Sequence, residues 1–233
     1  MSTELFDELE AGELSVEFEG EEPETVLEWA LERFDRIAIS TAFQVDGCVL
    51  IDMAARIRPD VRVFSVDTGR LPQETHDLAD AIRERYPELR LELLSPDASQ
   101  LRRLVERQGT NGFRNSVEQR LICCNVRKVQ PLTQHLQGLD AWISGLRRDQ
   151  AAGRANTPKL DWDRKHRLWK LNPLADWTER DVWSYIAAND VPYHPLHDRG
   201  YSSIGCTHCT HPGGDRAGRW AGTDKIECGI HAG

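Results

Sequence analysis

Six cysteines carry most of the chemistry available to this 233-residue chain: Cys48, Cys123, Cys124, Cys206, Cys209 and Cys228. Four of them form two pairs, the adjacent "CC" at 123–124 and "CTHC" at 206–209. A Cys-x-x-Cys pair holds two thiolates on one metal comfortably, and a second pair from elsewhere completes four ligands. Adjacent cysteines strain a single tetrahedral ion but ligate neighbouring irons of a cluster more easily, so the spacing favours iron–sulfur over zinc. His208 and His211 lie close enough to serve zinc, which keeps that alternative open. Lys128 follows Cys124 by four residues, on the same face of a helix, where an ammonium would offset the negative charge of a four-thiolate cluster. Cys48 sits in an apolar helical stretch and reads as a small core residue.

Cys228, in the terminal "KIECGIHAG", reads differently. A structural cysteine prefers burial, and chain ends are the least ordered part of most domains, so a thiol there suggests a nucleophile that moves. Its neighbours Arg216, Arg219, Lys225 and His231 would lower its pKa and raise the thiolate fraction at neutral pH. Further basic residues recur in "GLRRDQ", where Arg147 and Arg148 precede Arg154. Arginines in a loop suit an anionic substrate through paired, charge-assisted hydrogen bonds. The stretch "STAFQVDG" (40–47) offers hydroxyls and backbone amides ahead of a helix, a cradle for an anion, although it is neither a P-loop nor a GxGxxG turn.

The elements that must position these groups alternate. "RIAIS" (36–40), "VRVFSV" (61–66), "LRLELL" (89–94) and "AWISG" (141–145) read as short buried strands. Helices are expected from Pro23, over 47–57, 72–86 and 98–108, and across "NVRKVQPLTQHL". Strands alternating with helices specify an α/β fold with a twisted parallel sheet covered on both faces, whose ligands sit at the carboxyl ends of the strands. Substrate contacts are therefore expected at 40–46, 67–70 and 145–150. Beyond residue 155 the pattern changes: "KLDWDRKHRLWKL" predicts a hairpin, "TERDVWSYIAAND" a helix capped by Thr178 and Asp181, and 191–233 an irregular tail. The tryptophans read as core and hairpin packing, with Trp220 of the tail set apart.

The net charge of −9 is unevenly placed. Residues 1–24 hold ten acidic and no basic side chains, which leaves 29 basic against 28 acidic in the remainder. Such an arm reads as a solvated, partly disordered leader and argues against a nucleic-acid partner. No charged start with an apolar core and no run of about 18 apolar residues is present, so no membrane association and a cytoplasmic location are expected. In that reducing compartment a multi-cysteine pattern points to metal or redox chemistry before disulfides.

The order of "DTG" after the second strand, "CC…RK", "GLRRDQ", "NPLADWTERDVWSYI", "SIGCTHC", "RAGRW" and "ECGIH" resembles the assimilatory adenylyl-sulfate reductases, thioredoxin-dependent members of the PAPS reductase family. The resemblance runs from about residue 25 to the end; its most specific part is the double cysteine pair combined with the terminal ECGIH. It implies an adenine nucleotide alpha-hydrolase-like fold and divides the chain into an acidic arm (1–24), a nucleotide-binding α/β domain (25–205) and a segment (206–233) carrying CxxC and a mobile catalytic tail. It implies that Cys228 attacks the sulfur of adenosine 5′-phosphosulfate (APS), expelling AMP and leaving an S-sulfocysteine that reduced thioredoxin discharges as sulfite. By the same resemblance Cys123, Cys124, Cys206 and Cys209 ligate a [4Fe–4S] cluster, with Lys128 between cluster and substrate. Arg147, Arg148, Arg154, Arg216 and Arg219, with His231, would surround the phosphosulfate, and Val66, Asp67, Thr68 and Gly69 would contact the adenosine. One departure stands out: Phe43 and Gln44 occupy first-loop positions where small or hydroxyl residues are usual, leaving Ser40 and Thr41 as the hydroxyls expected at the anion. Self-association as a homo-oligomer is compatible with this reading. The alternatives are a reductase of the 3′-phosphorylated nucleotide (PAPS), and a zinc-stabilised nucleotide-binding protein without turnover.

Overall fold

The structure, a computed structural model, describes residues 3–213. Its elements follow the expected alternation: α1 (Thr3–Phe18), α2 (Pro23–Arg33), β1 (Ile37–Thr41), α3 (Val45–Ile57), β2 (Arg62–Val66), α4 (Gln73–Arg85), β3 (Arg90–Leu94) and α5 (Ala98–Gln108). Then come α6 (Val117–Cys124), a π-helical turn over Asn125–Val129, α7 (Gln130–Leu136), β4 (Ala141–Ser144), β5 (Leu160–Asp163), β6 (Leu168–Leu171) and α8 (Glu179–Asn189). The six strands form one sheet in the order β3-β2-β1-β4-β6-β5. All neighbours pair parallel except β5, which returns antiparallel along β6 as the predicted hairpin.

Side chains alternate between the two faces of the sheet, as a period of two requires. Ile37, Ile39, Val63, Ala141, Ile143 and Leu171 join one apolar cluster with α2, α3, α4 and α8. Ala38, Phe64, Trp142 and Leu168 join the other, under Leu132 and Leu136 of α7. Helix α3 is buried on nearly every side from Val45 to Ala55, which explains its almost uninterrupted apolar sequence. Cys48 lies within it at 1 % exposure, the core residue it was expected to be, and burial pushes its thiol pKa up. Thr178 and Asp181 form the capping box that opens α8.

Residues 3–18, expected within a partly disordered arm, instead form a helix packed on β5. Ala11 and Phe18 are buried, and acidic side chains find arginines: Glu10 with Arg33, Glu8 with Arg164 and, just past the helix, Glu19 with Arg148. The buried Lys159 ammonium adds a bond to the Glu21 carbonyl and an ion pair with Asp176 at 2.9 Å. No helix among the described residues is long and apolar enough to cross a membrane.

Candidate active site

The sheet order reverses between β1, which leads outward to β2 and β3, and β4, which leads the other way. The two strand ends diverge there and leave a crevice, where open α/β sheets bind their ligands. A cleft of about 240 Å³ lies at this point, lined by Ser40, Thr41, Gly47, Ser144 and Gly145 among others. Close approach shapes its floor. A Cβ on Gly145 would come within 2.9 Å of the Asp46 side chain, and one on Gly47 within 2.3 Å of Thr41 Oγ1. Both glycines are needed for β1, β4 and the start of α3 to meet.

Of the expected arginines, Arg147 and Arg154 line the cleft. Arg147 is buried and already engaged: Nε donates to Asp46 at 2.5 Å and Nη1 to both oxygens of Asp149 at 2.6 and 2.7 Å. Gln150 completes the knot, its Nε2 donating to Asp46 and to the Gly145 carbonyl. Burial pushes the Asp46 carboxyl upward, against the pull of Arg147. Arg148 turns away instead, to Glu19 and to the Thr157 carbonyl, and does not line the cleft. The two neighbouring side chains therefore part, Arg147 inward and Arg148 outward. Arg154 donates to Gln150.

The turn after β2 is divided in the same way. Val66 reaches the cleft, whereas Asp67, Thr68 and Gly69 do not line it. Asp67 closes the turn, accepting from the Gly69 amide at 2.8 Å, and Gly69 takes a φ of +66°, the left-handed value that favours glycine. That turn swings Thr68 to the other side, where its hydroxyl meets Cys206 Sγ at 3.2 Å. The "DTG" motif therefore clasps the cysteine segment rather than the cleft; Thr207 N–H donating to the Arg70 carbonyl at 2.9 Å is part of the same clasp.

The four paired cysteines line one small cavity beside the cleft, together with Thr68, Arg70, Phe113, Arg120, Arg127, Lys128 and His208. Helix α6, capped by Ser116, carries Cys123 and Cys124 at its end, and the π-helical turn follows directly. Such turns shift the register of side chains and concentrate at functional sites. Lys128 lines the cysteine cavity and the strand-end cleft alike. Arg120 Nη1 donates to Cys209 Sγ at 3.4 Å, and Arg127 Nη1 to the Thr68 carbonyl at 2.7 Å.

The Nε groups of Arg70, Arg120 and Arg127 are buried without a hydrogen-bond partner among the described residues. Orphaned cationic donors around four sulfurs fit an anionic iron–sulfide cluster. No three His, Cys, Asp or Glu side chains among the described residues converge on a single ion. A cluster needs no such convergence, because its thiolates bind different irons and surround a volume. His208, weighed as a zinc ligand, has its Nδ1 against Arg114 at 3.2 Å and its ring 5.7 Å from Phe113.

Ser65, Thr75 and Trp183 in the cleft, and Arg70, Phe113 and Arg120 around the cysteines, were not singled out from the sequence, whereas Gln44 falls in the 40–46 loop where contacts were expected. Arg120 stands three and four residues before Cys123 and Cys124, the helical spacing that could have found it. The others come from separate elements and left no local signal. Arg216, Arg219, Cys228 and His231 lie outside the described residues, as does Trp220.

Residues 36–212 match the family model of the phosphoadenosine phosphosulfate reductase domain. The chain is 43% identical over 211 residues to a Staphylococcus haemolyticus protein named adenosine 5′-phosphosulfate reductase, covering 88% of this chain and 85% of that one. It is 42% identical over 212 residues to a protein of the same name from Allochromatium vinosum, covering 88% and 82%. Among solved structures, the phosphoadenylyl-sulfate reductase from Candida auris, a phosphate complex, superposes with a TM-score of 0.74 at 27% identity, over 91% of this chain and 98% of that one. Candida glabrata FMN adenylyltransferase shares the fold alone, with a TM-score of 0.57 at 15% identity over 82% of this chain and 64% of that one.

Proposed function

The chain belongs to the phosphoadenosine phosphosulfate reductase family, and we propose that it reduces adenosine 5′-phosphosulfate to sulfite and AMP in sulfate assimilation, with reduced thioredoxin as electron donor. The observation that carries this reading is the position of Lys128, which lines both the nucleotide-sized cleft and the four-cysteine cavity. One ammonium then faces the anionic end of a bound substrate on one side and the cysteines on the other. The names of relatives at 42–43% identity support APS as the substrate.

In this reading the backbone amides opening α3, with Ser40, Lys128 and Arg154, hold the phosphosulfate, and Val66 borders the adenosine. Arg147 orients rather than clamps: it fixes Asp46 and Asp149, and so the relative placement of the β1 and β4 loops. Cys228 supplies the nucleophile. Its thiolate forms a bond to the sulfate sulfur as the bond from that sulfur to the bridging phosphate oxygen breaks, and AMP departs with the electron pair. A thioredoxin thiolate then attacks Cys228 Sγ, sulfite leaves with the electrons of the S–S bond, and the second thioredoxin thiol resolves the mixed disulfide. Arg216, Arg219 and His231 would act beside Cys228 as the cations of the reacting sulfonate, in a segment (206–233) whose first residues are joined to the nucleotide-binding body (25–205) through Thr68 and Arg70. A reaction that consumes reduced thiols fits a reducing cytoplasm.

Cys123, Cys124, Cys206 and Cys209 would hold a [4Fe–4S] cluster, ringed by Arg70, Arg120, Arg127 and Lys128. When bound, such a cluster supplies a compact anionic core whose charge these cations offset.

Steady-state assays of anaerobically purified protein with reduced thioredoxin test the proposal. Sulfite and AMP should appear in equal amounts, with a higher kcat/KM for APS than for PAPS, from brown protein with [4Fe–4S] iron and sulfide content. Preference for PAPS, or a colourless iron-free protein of full activity, would overturn the respective part.

A further inference from the structure

Phe43 and Gln44, in the loop after β1, each have a defined place in the structure. Phe43 takes a φ of 53° while its ring is 1 % exposed, so core burial holds a bulky residue in a left-handed turn. That turn delivers Gln44 to the N-cap of α3 with extended backbone and without a side-chain bond to the helix. Its Oε1 instead accepts from the Ile204 amide at 3.0 Å, two residues ahead of Cys206. Because Ile204 N–H is a donor, the orientation of the Gln44 amide is set: oxygen on Ile204, nitrogen at the other corner. Nε2 bonds no described residue, and Gln44 lines the cleft beside Ser40 and Gly47. The neighbouring Thr41 Oγ1 accepts from the Phe43 amide at 2.9 Å and lies against Gly47, which leaves its O–H as a second donor at this loop.

We propose that Gln44 is a binding residue for the anionic group of the nucleotide, donating from Nε2 to a phosphate or phosphosulfate oxygen. Through Oε1 it also ties the anion loop to the segment that carries Cys206 and Cys209. The inference rests on the reading of the cleft as a nucleotide site.

Calorimetric titration of the full-length, anaerobically purified protein with adenosine and with AMP separates the anion from the nucleoside. Two variants are informative. Gln44→Glu keeps an acceptor for Ile204 N–H, loses both donors and adds a negative charge. Gln44→Met keeps the shape and loses both roles. AMP binding should weaken roughly ten- to a hundred-fold in Gln44→Glu, the range for losing a hydrogen bond to a charged group and gaining a like charge. Adenosine binding and the visible spectrum should stay as in wild type, because the Ile204 tie survives. Gln44→Met should weaken AMP by about tenfold or less, again with little effect on adenosine. AMP affinities unchanged in both variants, or equal losses for adenosine and AMP, would overturn the role of Gln44. Wild-type protein that binds neither ligand would overturn the nucleotide reading and this inference with it.

Discussion

His194 is fully buried, its ring bonded to Thr75 Oγ1 at 2.9 Å through Nε2 and accepting from the Leu196 amide through Nδ1. Thr75 borders the cleft, so this pair joins α4 to the loop that follows α8. Burial, and then the neighbouring His197, lower the His194 pKa from 6.5 to about 4. The unfolded chain therefore takes up this proton first on acidification. The stabilising contribution is complete above pH 6.5 and is lost as pH falls toward about 4. In urea titrations between pH 7 and 4.5, His194→Gln should be less stable at neutral pH, and its deficit should shrink on acidification. The slope difference should reach at most about 1.4 kcal/mol per pH unit, one proton's worth. A deficit that stays constant across the range would contradict the buried neutral imidazole. At this scale the paired cysteines and Lys128 were legible, because metal ligation needs particular residue types at particular spacings. The parting of Arg147 from Arg148, and of Val66 from Thr68, was not, because it depends on partners such as Asp46 and Cys206 that lie far away in sequence.

Helix α1 closes the hairpin edge of the sheet by lying on β5, which covers an edge strand that would otherwise be open to pairing. Its fastening is mostly charge on the outside and ring packing beneath. Arg33 meets both Glu10 oxygens at 2.8 and 2.9 Å, and its guanidinium lies 5.4 to 5.5 Å from the ring centroids of Trp29, Phe34 and Trp169. Exposed ion pairs contribute little, whereas a guanidinium stacked on aromatic rings adds packing and cation–π attraction. Glu10→Ala should therefore cost under about 1 kcal/mol, and Arg33→Ala about 1–3 kcal/mol, by urea unfolding at moderate salt. The reverse order would show that the ion pair to α1 contributes more than the stacking of Arg33 on Trp29, Phe34 and Trp169. The strands and longer helices were readable from periodicity. The α1 helix was not, since the arginines that neutralise its acids lie in α2, in the loop after β4 and in the β5–β6 turn. The short α6 was missed because eight residues carry too little periodicity to register, and the helix expected from Asn125 onward opens as a π-helical turn.

The whole molecule brings together groups that are remote along the chain. Cys123 and Cys124 meet Cys206 and Cys209 in one cavity, and Arg147 meets Asp46 across 101 positions. Parallel topology does this: each βα crossover returns the chain to the same end of the sheet, so loops from β1, β2 and β4 share one rim. A strand-end cleft, a cysteine cavity beside it and Lys128 lining both follow from that arrangement. The thiol of Cys228 is the group proposed to take the sulfonate from the nucleotide. The most direct test is the mass of the Cys228 peptide after wild-type protein is incubated with APS in the absence of thioredoxin. It should carry one added SO₃, with an equal amount of AMP released in a single burst, and reduced thioredoxin should then remove the mass as sulfite. An unmodified Cys228 peptide alongside released AMP and sulfite, or the added SO₃ on Cys48 or a paired cysteine, would contradict it.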